Sequence, residues 1–169
     1  MMFLVELLEN DFNLYVDMDG VIVDFQAGVH QLIGQPMTKE TKKVFWKTIK
    51  KMPVNEVADF WSNLPWTSDG QAFWRAISKY NPKILSSPGT SLRSTIEEAK
   101  DAWIQKHLFP RPTQVIFETD KWKYASLSSV LIDDMAKQID PWVANGGIGI
   151  LHRPGYAEQS ISTLRRILS

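Results

Sequence analysis

Five short apolar runs constrain the fold of this 169-residue chain more than any other feature. The runs are Phe12–Val16, Lys83–Leu85, Gln114–Phe117, Val130–Ile132 and Ile148–Leu151. Most of them end at polar or acidic residues, and helical or turn-rich stretches separate them. Strands that alternate with helices in this way form parallel sheets with crossover connections. The sequence therefore predicts an α/β fold, in which a Rossmann-like parallel sheet is flanked by helices.

The stretches between the later runs carry helix signals. One predicted helix has apolar residues at spacings of four, three and four positions, namely Leu92, Ile96, Ala99 and Trp103. Ser94 with Glu97 predicts a capping box at its start. Asp140-Pro141 predicts the start of a second helix and Gly146-Gly147 its end. An apolar stripe predicts a C-terminal helix and consists of Ile161, Leu164 and Leu168.

Residues 25–80 differ in composition from the rest of the chain. They hold nine of the 19 aromatic residues, and eight Lys or Arg against four acids. Pro53 and Pro65 interrupt this segment, and Asp69 is predicted to cap a helix from about Gly70 to Tyr80. We predict a small helical cap inserted after the first strand, so that residues 1–24 and 81–169 form the core domain.

Composition excludes several classes of function. The chain has no cysteine, which excludes disulfides, zinc-thiolate sites and thiol nucleophiles. Its formal net charge of zero argues against a general nucleic-acid or anionic-membrane binder, although a small local basic patch is compatible with it. The apolar run Met1–Leu8 contains Glu6 and lacks the basic flank of a signal peptide. We expect a cytoplasmic protein with no membrane partner and no stable nucleic-acid partner.

Polar residues follow three of the predicted strands, where ligands of an open parallel sheet bind. These residues are Asp17, Asp19, Ser86, Ser87, Asp133 and Asp134. Taken singly, each of them also suits a turn or a helix cap. Four carboxylates at one sheet edge would repel each other unless a cation lay among them, and oxygen ligands at this density suit Mg²⁺. The sequence therefore predicts a magnesium site at this edge.

The segment Asp17-Met18-Asp19-Gly20-Val21 resembles the first motif of the haloacid dehalogenase-like phosphatases. The stretch 84–88 fits the second motif, a strand that ends in a phosphate-binding hydroxyl, and the stretch 131–134 fits the paired acids of the fourth. The resemblance extends from about Phe12 to His152. It implies the haloacid dehalogenase (HAD) fold and phosphate ester hydrolysis.

Two further features resemble the 5′(3′)-deoxyribonucleotidase branch of these phosphatases. Lys123 precedes Asp133 by ten residues, as the phosphate-binding lysine does in that branch, and we favour it over the competing Lys121. The run from Val21 to Phe25 is similar to the segment whose aromatic residue approaches the nucleobase. In two other respects the chain departs from that branch, because Met135 stands where an arginine is usual and Ser86 where threonine is more common.

The resemblance implies a role for each site residue. Asp17 would be the nucleophile and Asp19 the general acid and base. Mg²⁺ would be held by Asp17, Asp19 and the acidic pair, where Asp134 is a stronger ligand candidate than Asp133. The substrate phosphate would be bound by Ser86 and Lys123. Ser87 would bind it as well or cap the next helix, and Phe25 would line the substrate pocket.

The predicted cap contains an aromatic pool and a basic run. The pool consists of Phe45, Trp46, Trp61, Trp66, Phe73 and Trp74, of which at least four should be core. The basic run consists of Lys39, Lys42, Lys43, Lys47, Lys50 and Lys51. It would steer phosphates inward or, as we favour at this point, form a solvated helix face.

The predicted function is a Mg²⁺-dependent phosphomonoesterase that hydrolyses the 5′ or 3′ phosphate of nucleoside monophosphates. The alternatives are a phosphatase for another small metabolite or for a polynucleotide 3′ end, and a catalytically silent protein that binds metal or nucleotide. The expected partner is a small phosphate monoester, and homodimer formation is left open.

Overall fold

The computed structural model describes residues 12–169, so the prediction for Met1–Leu8 lies outside the described residues. The described chain forms a five-stranded sheet in the order β3-β2-β1-β4-β5, with every neighbouring pair parallel. The strands are β1 (Asn13–Val16), β2 (Lys83–Ser86), β3 (Val115–Phe117), β4 (Ser129–Asp133) and β5 (Ile148–Leu151). The predicted α/β fold with a parallel sheet is confirmed.

Seven α-helices flank this sheet in the described residues. Four lie between β1 and β2 in the chain: α1 (Phe25–Ile33), α2 (Lys42–Lys51), α3 (Val54–Ser62) and α4 (Gly70–Ile77). The other three follow β2, β4 and β5 in turn: α5 (Arg93–His107), α6 (Ala136–Ala144) and α7 (Ala157–Leu168). Short 3₁₀ turns occupy Ser78–Tyr80 and Lys121–Tyr124. Among these residues no helix is both long and apolar enough to cross a membrane.

The two sheet faces pack against different partners because side chains alternate along each strand. Val16 and Ile132 lie in the larger apolar cluster, whereas Tyr15 and Leu131 face a smaller one that includes Trp142 of α6. The larger cluster continues into the helices between β1 and β2 through buried side chains, among them Phe45, Trp61, Phe73 and Trp74. The inserted helices therefore share one apolar core with the sheet.

Two predicted helix starts are wrong. Helix α5 begins at Arg93, and the residue before it, Leu92, is left-handed with φ 54°, so Ser94 does not cap it. Glu97 pairs instead with Arg93 at 2.6 Å. Helix α6 begins at Ala136, five residues before Pro141, which therefore lies inside the helix.

Asp69 directly precedes α4, as predicted, but its side chain does not cap that helix. Its Oδ2 accepts a hydrogen bond from the backbone N–H of Ala157 at 2.8 Å, at the start of α7. A capping carboxylate serves whichever free helix N–H lies nearest in space. Asp69 therefore ties the inserted helices to the C-terminal helix.

Candidate active site

The loop after β1 carries the first two predicted site residues. The N–H of Asp17 donates a hydrogen bond to the carbonyl of Ile132 on β4. The carbonyl of Met18, the residue after Asp17, accepts hydrogen bonds from the three successive backbone amides at positions 21–23. The tight turn needs Gly20, whose φ is 80°. A Cβ at that position would lie 2.1 Å from Asp134 Oδ2. The loop thus folds back over the sheet edge and against the acidic pair of β4.

Three carboxylates meet at this edge because β1 and β4 are neighbours. Carboxylate oxygens of Asp17, Asp133 and Asp134 lie within 4.8 Å of one another. Burial and the charge of Asp17 raise the pKa of Asp133 to about 6 and that of Asp134 to about 8. Within the described chain, the buried Asp134 Oδ1 has no hydrogen-bond partner. These features fit a hard divalent cation, which would neutralise the cluster and take up the unpartnered oxygen.

Lys121 neutralises part of this cluster. Its Nζ lies 2.8 Å from Asp17 Oδ1 and 2.6 Å from Asp133 Oδ2, and its side chain is 2% exposed. Burial alone would lower the pKa of Lys121, but the charges of Asp17 and Asp133 outweigh burial and raise it. The lysine is therefore a fixed positive charge between the strand ends.

Our preference for Lys123 over Lys121 needs correction. The side chain of Lys123 is 47% exposed and pairs at 3.4 Å with Glu118 and Asp120, away from the acidic cluster. The 3₁₀ turn Lys121–Tyr124 places its first residue inward and its third outward. The structure thus brings Lys121 to the site and leaves Lys123 on the surface.

Lys100 is a second buried lysine at the site, and the sequence analysis missed it. Its Nζ donates to Asp19 Oδ2 at 2.6 Å, to Ser86 Oγ at 2.9 Å and to the Ser87 carbonyl at 3.0 Å. It also lies 5.0 Å from the centre of the Trp61 ring. One signal could have found it, because Lys100 follows Ile96 by four residues and so interrupts the apolar stripe of α5.

Asp19 is therefore held by Lys100, whereas Asp17 is held by Lys121. Burial and the charge of Asp17 raise its pKa, although Lys100 opposes that shift. While Oδ2 is bound by Lys100, Oδ1 is buried without a partner among the described residues. One oxygen of Asp19 is therefore unpaired within the described chain.

The two serines after β2 take different positions. Ser86 is fully buried and its hydroxyl faces Lys100, whereas Ser87 lines the cleft in front of the carboxylates. Ser87 Oγ lies 3.2 Å from Thr119 Oγ1. Successive side chains of an extended segment point in opposite directions, which accounts for the difference.

The cleft has a volume of about 1650 Å³ and is lined both by the acidic cluster and by residues of the inserted helices. Phe25 lines it and stacks on Trp61, with ring centroids 5.2 Å apart and ring planes 10° apart. Trp46 also lines it. The rest of the predicted aromatic pool packs elsewhere: Phe45, Phe73 and Trp74 are buried core, and Trp66 packs against Trp103.

No protein-family model and no curated protein matches this chain. Solved structures do match it. A dehalogenase aligns with a TM-score of 0.54 at 9% identity, over 92% of this chain and 96% of that one. A HAD family enzyme from Bacteroides thetaiotaomicron, solved as a magnesium complex, aligns with a TM-score of 0.50 at 13% identity, over 86% and 95%. A hydrolase from Streptococcus pneumoniae has a TM-score of 0.48 at 16% identity, over 94% and 98%.

Identities this low bear on the fold alone: this chain shares its α/β fold with the dehalogenase and with the HAD family enzyme.

Proposed function

We propose that this protein is a Mg²⁺-dependent phosphomonoesterase of the 5′(3′)-deoxyribonucleotidase-like branch of HAD phosphatases, acting on nucleoside monophosphates. One observation carries the proposal: Asp17 and Asp19 follow the same strand, and each is held by a different buried lysine. A protein that only binds metal has no need of the second aspartate or of its own lysine. A hydrolase that works through a covalent intermediate needs both.

Asp17 is the nucleophile. Its carboxylate attacks phosphorus, the bond between phosphorus and the ester oxygen breaks, and an aspartyl-phosphate forms. Lys121, 2.8 Å from Asp17 Oδ1, orients the carboxylate and supplies positive charge beside the transferring phosphoryl group. The ordered Asp17–Lys121 pair means that little reorganisation is needed before attack.

Asp19 transfers the protons. Its Oδ1 has no partner within the described chain, so this atom is the one that protonates the departing ester oxygen. In the second step Asp19 removes a proton from the water that attacks the aspartyl-phosphate, which releases inorganic phosphate and frees Asp17. Lys100 holds Oδ2 in place during both transfers.

Mg²⁺ would be held by Asp17, Asp134 and the backbone carbonyl of Asp19, with Asp133 beside them. It would supply positive charge that offsets the repulsion between the nucleophile and the phosphate dianion. The unpartnered Asp134 Oδ1 and the raised pKa values of the acidic pair support this assignment. Lys121 and the cation would together neutralise the negative charge of the cluster.

Residues 25–80 would act as the cap that selects the substrate and excludes bulk water. The support is their place in the cleft: Phe25, Trp46 and Trp61 form an aromatic wall of the same cleft that the acids line. Trp61 is 4% exposed, and its Nε1 has no acceptor among the described residues. A flat heterocycle with ring acceptors suits this wall, since it can stack and accept a hydrogen bond.

Phosphate release from a substrate panel tests the proposal. The panel contains deoxyribonucleoside and ribonucleoside 5′- and 3′-monophosphates, sugar phosphates and p-nitrophenyl phosphate, each assayed with Mg²⁺ and with EDTA. We expect Mg²⁺-dependent release with the highest kcat/KM on deoxyribonucleotides. Activity on sugar phosphates alone would overturn the nucleotide assignment, and silence across the panel would overturn the enzyme assignment.

A further inference from the structure

One wall of the cleft carries a row of lysines that the reaction proposed above does not use. It is formed by Lys39, Lys42, Lys43, Lys47, Lys50 and Lys51, all of them exposed, and we call it the lysine row. Five of the six lie on α2, whose ten residues span about 15 Å. The apolar side of the same helix, with Phe45 and Ile49, is buried. The packing of α2 therefore turns its charged side to the cleft.

The lysine row has no acidic partner in the part of the chain that the structure describes. No residue of the row forms an ion pair there, and α2 itself contains no acid. Lys43 and Lys47, and Lys47 and Lys51, stand four positions apart, and like charges at that spacing destabilise a helix. An anionic ligand would relieve this repulsion.

A single phosphate cannot occupy the lysine row. In the proposed function the phosphoryl group to be transferred is bound by Lys121 and by the cation that the carboxylates would hold, whereas the row extends over about three helical turns. The cleft, at about 1650 Å³, also exceeds the roughly 300–1000 Å³ usual for small-molecule sites. The wall suits a ligand with several regularly spaced negative charges.

An aromatic side chain interrupts the lysine row at its centre. Trp46 lies between Lys43 and Lys47, lines the cleft, and packs so close to Gly89 that a Cβ there would be 3.3 Å from its ring. Gly89 follows Ser87 by two residues, so Trp46 stands beside the loop next to the acidic cluster. Lysines that track a backbone, together with aromatic rings that stack on bases, are the features that bind single-stranded nucleic acid.

The overall charge of the chain fits a local site of this kind. Nineteen basic residues balance nineteen acidic ones, so no general attraction to polyanions is expected. Six of the basic residues fall within residues 39–51 and face one cleft. Attraction is therefore confined to a ligand that enters the cleft.

We propose that the lysine row and Trp46 bind the backbone and one base of a single-stranded oligonucleotide whose terminal phosphate enters the acidic cluster. This inference rests on the proposed phosphomonoesterase function and extends its substrate from mononucleotides to phosphorylated strand ends. The terminal phosphate is hydrolysed, and the internal phosphates, which are diesters, contribute affinity only.

The first test measures kcat/KM on thymidine oligonucleotides with a 3′ or a 5′ phosphate, from the mononucleotide to the octamer. We expect kcat/KM to rise about tenfold or more with length and to fall with salt, because each lysine–phosphate contact contributes about −0.7 to the slope of log affinity against log salt. Lys43→Gln/Lys47→Gln should lower the octamer value towards that of the mononucleotide and reduce the slope by about 1.4. Lys79→Gln/Lys106→Gln, which alters two exposed lysines outside the cleft, should change neither.

Equal kcat/KM for the mononucleotide and the octamer would overturn the inference. The inference would also be overturned if the Lys43→Gln/Lys47→Gln variant kept the dependence of kcat/KM on length. An equal loss of kcat/KM on the mononucleotide and the octamer would overturn it too, because it would mean that the lysines only steer small anions.

Fluorescence anisotropy of labelled octamer on the wild-type protein in EDTA tests binding without turnover. Salt-sensitive binding that Lys43→Gln/Lys47→Gln weakens supports the oligonucleotide-binding site even if the phosphatase assays fail, in which case only the proposed function is overturned. Absence of such binding contradicts the site even if those assays succeed.

Discussion

The sheet edge and the cleft-facing side of α2 use the same residue type in opposite ways. At the edge, Lys100 and Lys121 are each 2% exposed and contact carboxylates at 2.6–2.8 Å. The lysine row, five of whose six residues lie on α2, is exposed and unpaired within the described chain. Buried pairs act strongly at short range, whereas exposed charges act weakly, over longer distances, and are screened by salt. In the proposed function, the edge would fix the reacting groups and α2 would attract and align the substrate.

The largest expected effect comes from removing a charge at the edge. Lys121→Met would leave Asp17 and Asp133 buried without a cation, so we expect the free energy of unfolding to fall by about 3–5 kcal/mol. Lys123→Met is the matched control, because its side chain is 47% exposed, and it should leave stability unchanged. Urea denaturation of the metal-free proteins measures both. Equal stability of the two variants would contradict the assignment of Lys121 to the site.

Lys100 should affect turnover through the position of Asp19. In Lys100→Met we expect kcat to fall about 10²-fold with little change in KM, because the acid/base group loses the contact that orients it. Lys100→Arg should recover part of that loss, since it keeps a donor near Asp19 Oδ2. A Lys100→Met enzyme with normal kcat and a raised KM would show that this lysine binds substrate and does not position Asp19.

The acidic cluster should make the stability of the metal-free protein fall as pH rises. Asp134 has a pKa of about 8 when folded against 3.8 for an ordinary aspartate, so between these values the folded state keeps a proton that the unfolded state releases. Asp133 adds to this effect up to about pH 6. Melting temperatures in EDTA should therefore be lower at about pH 8 than at about pH 6, and Mg²⁺ should raise the melting temperature more at the higher pH. If Mg²⁺ left the dependence of the melting temperature on pH unchanged, that result would argue against a metal site at the acidic cluster.

The smallest expected effect on stability comes from α2. Replacing Lys43 and Lys47 with Gln removes two exposed, unpaired charges, so the midpoint of urea denaturation should stay the same or rise slightly. The same variant should show reduced salt dependence of oligonucleotide turnover. A large loss of stability would mean that these lysines support the fold. The exposed lysines of α2 would then not differ in that respect from the buried lysines at the sheet edge.

Much of the fold could be predicted because its signals are local. Each of the five apolar runs forms a strand, and the residues after them meet at one edge, since parallel strands end on the same side. Helix starts were harder, because the left-handed Leu92 and the early start of α6 leave no local pattern.

The lysines of the site could not be derived from spacing. Lys121 and Lys123 differ only in which side of a 3₁₀ turn they occupy. Lys100 reaches Asp19 across 81 residues of chain, a contact that only the packing of α5 against the sheet edge creates. Helical spacing could not show which way the charged side of α2 faces, because a solvated face and a cleft wall have the same pattern.

The most direct test of the central claim is to identify the phosphorylated residue during turnover. The reaction with Mg²⁺ and a substrate that the wild type hydrolyses would be quenched in acid, and the mass of the protein and of its peptides measured. With p-nitrophenyl phosphate, whose phenolate leaves without a proton from Asp19, Asp19→Asn should accumulate the aspartyl-phosphate because it cannot activate water for the second step. Asp17→Asn is the matched control. We predict one added phosphoryl group on Asp17, absent in EDTA and in Asp17→Asn. A phosphoryl group on another residue, or full turnover by Asp17→Asn, would contradict the account.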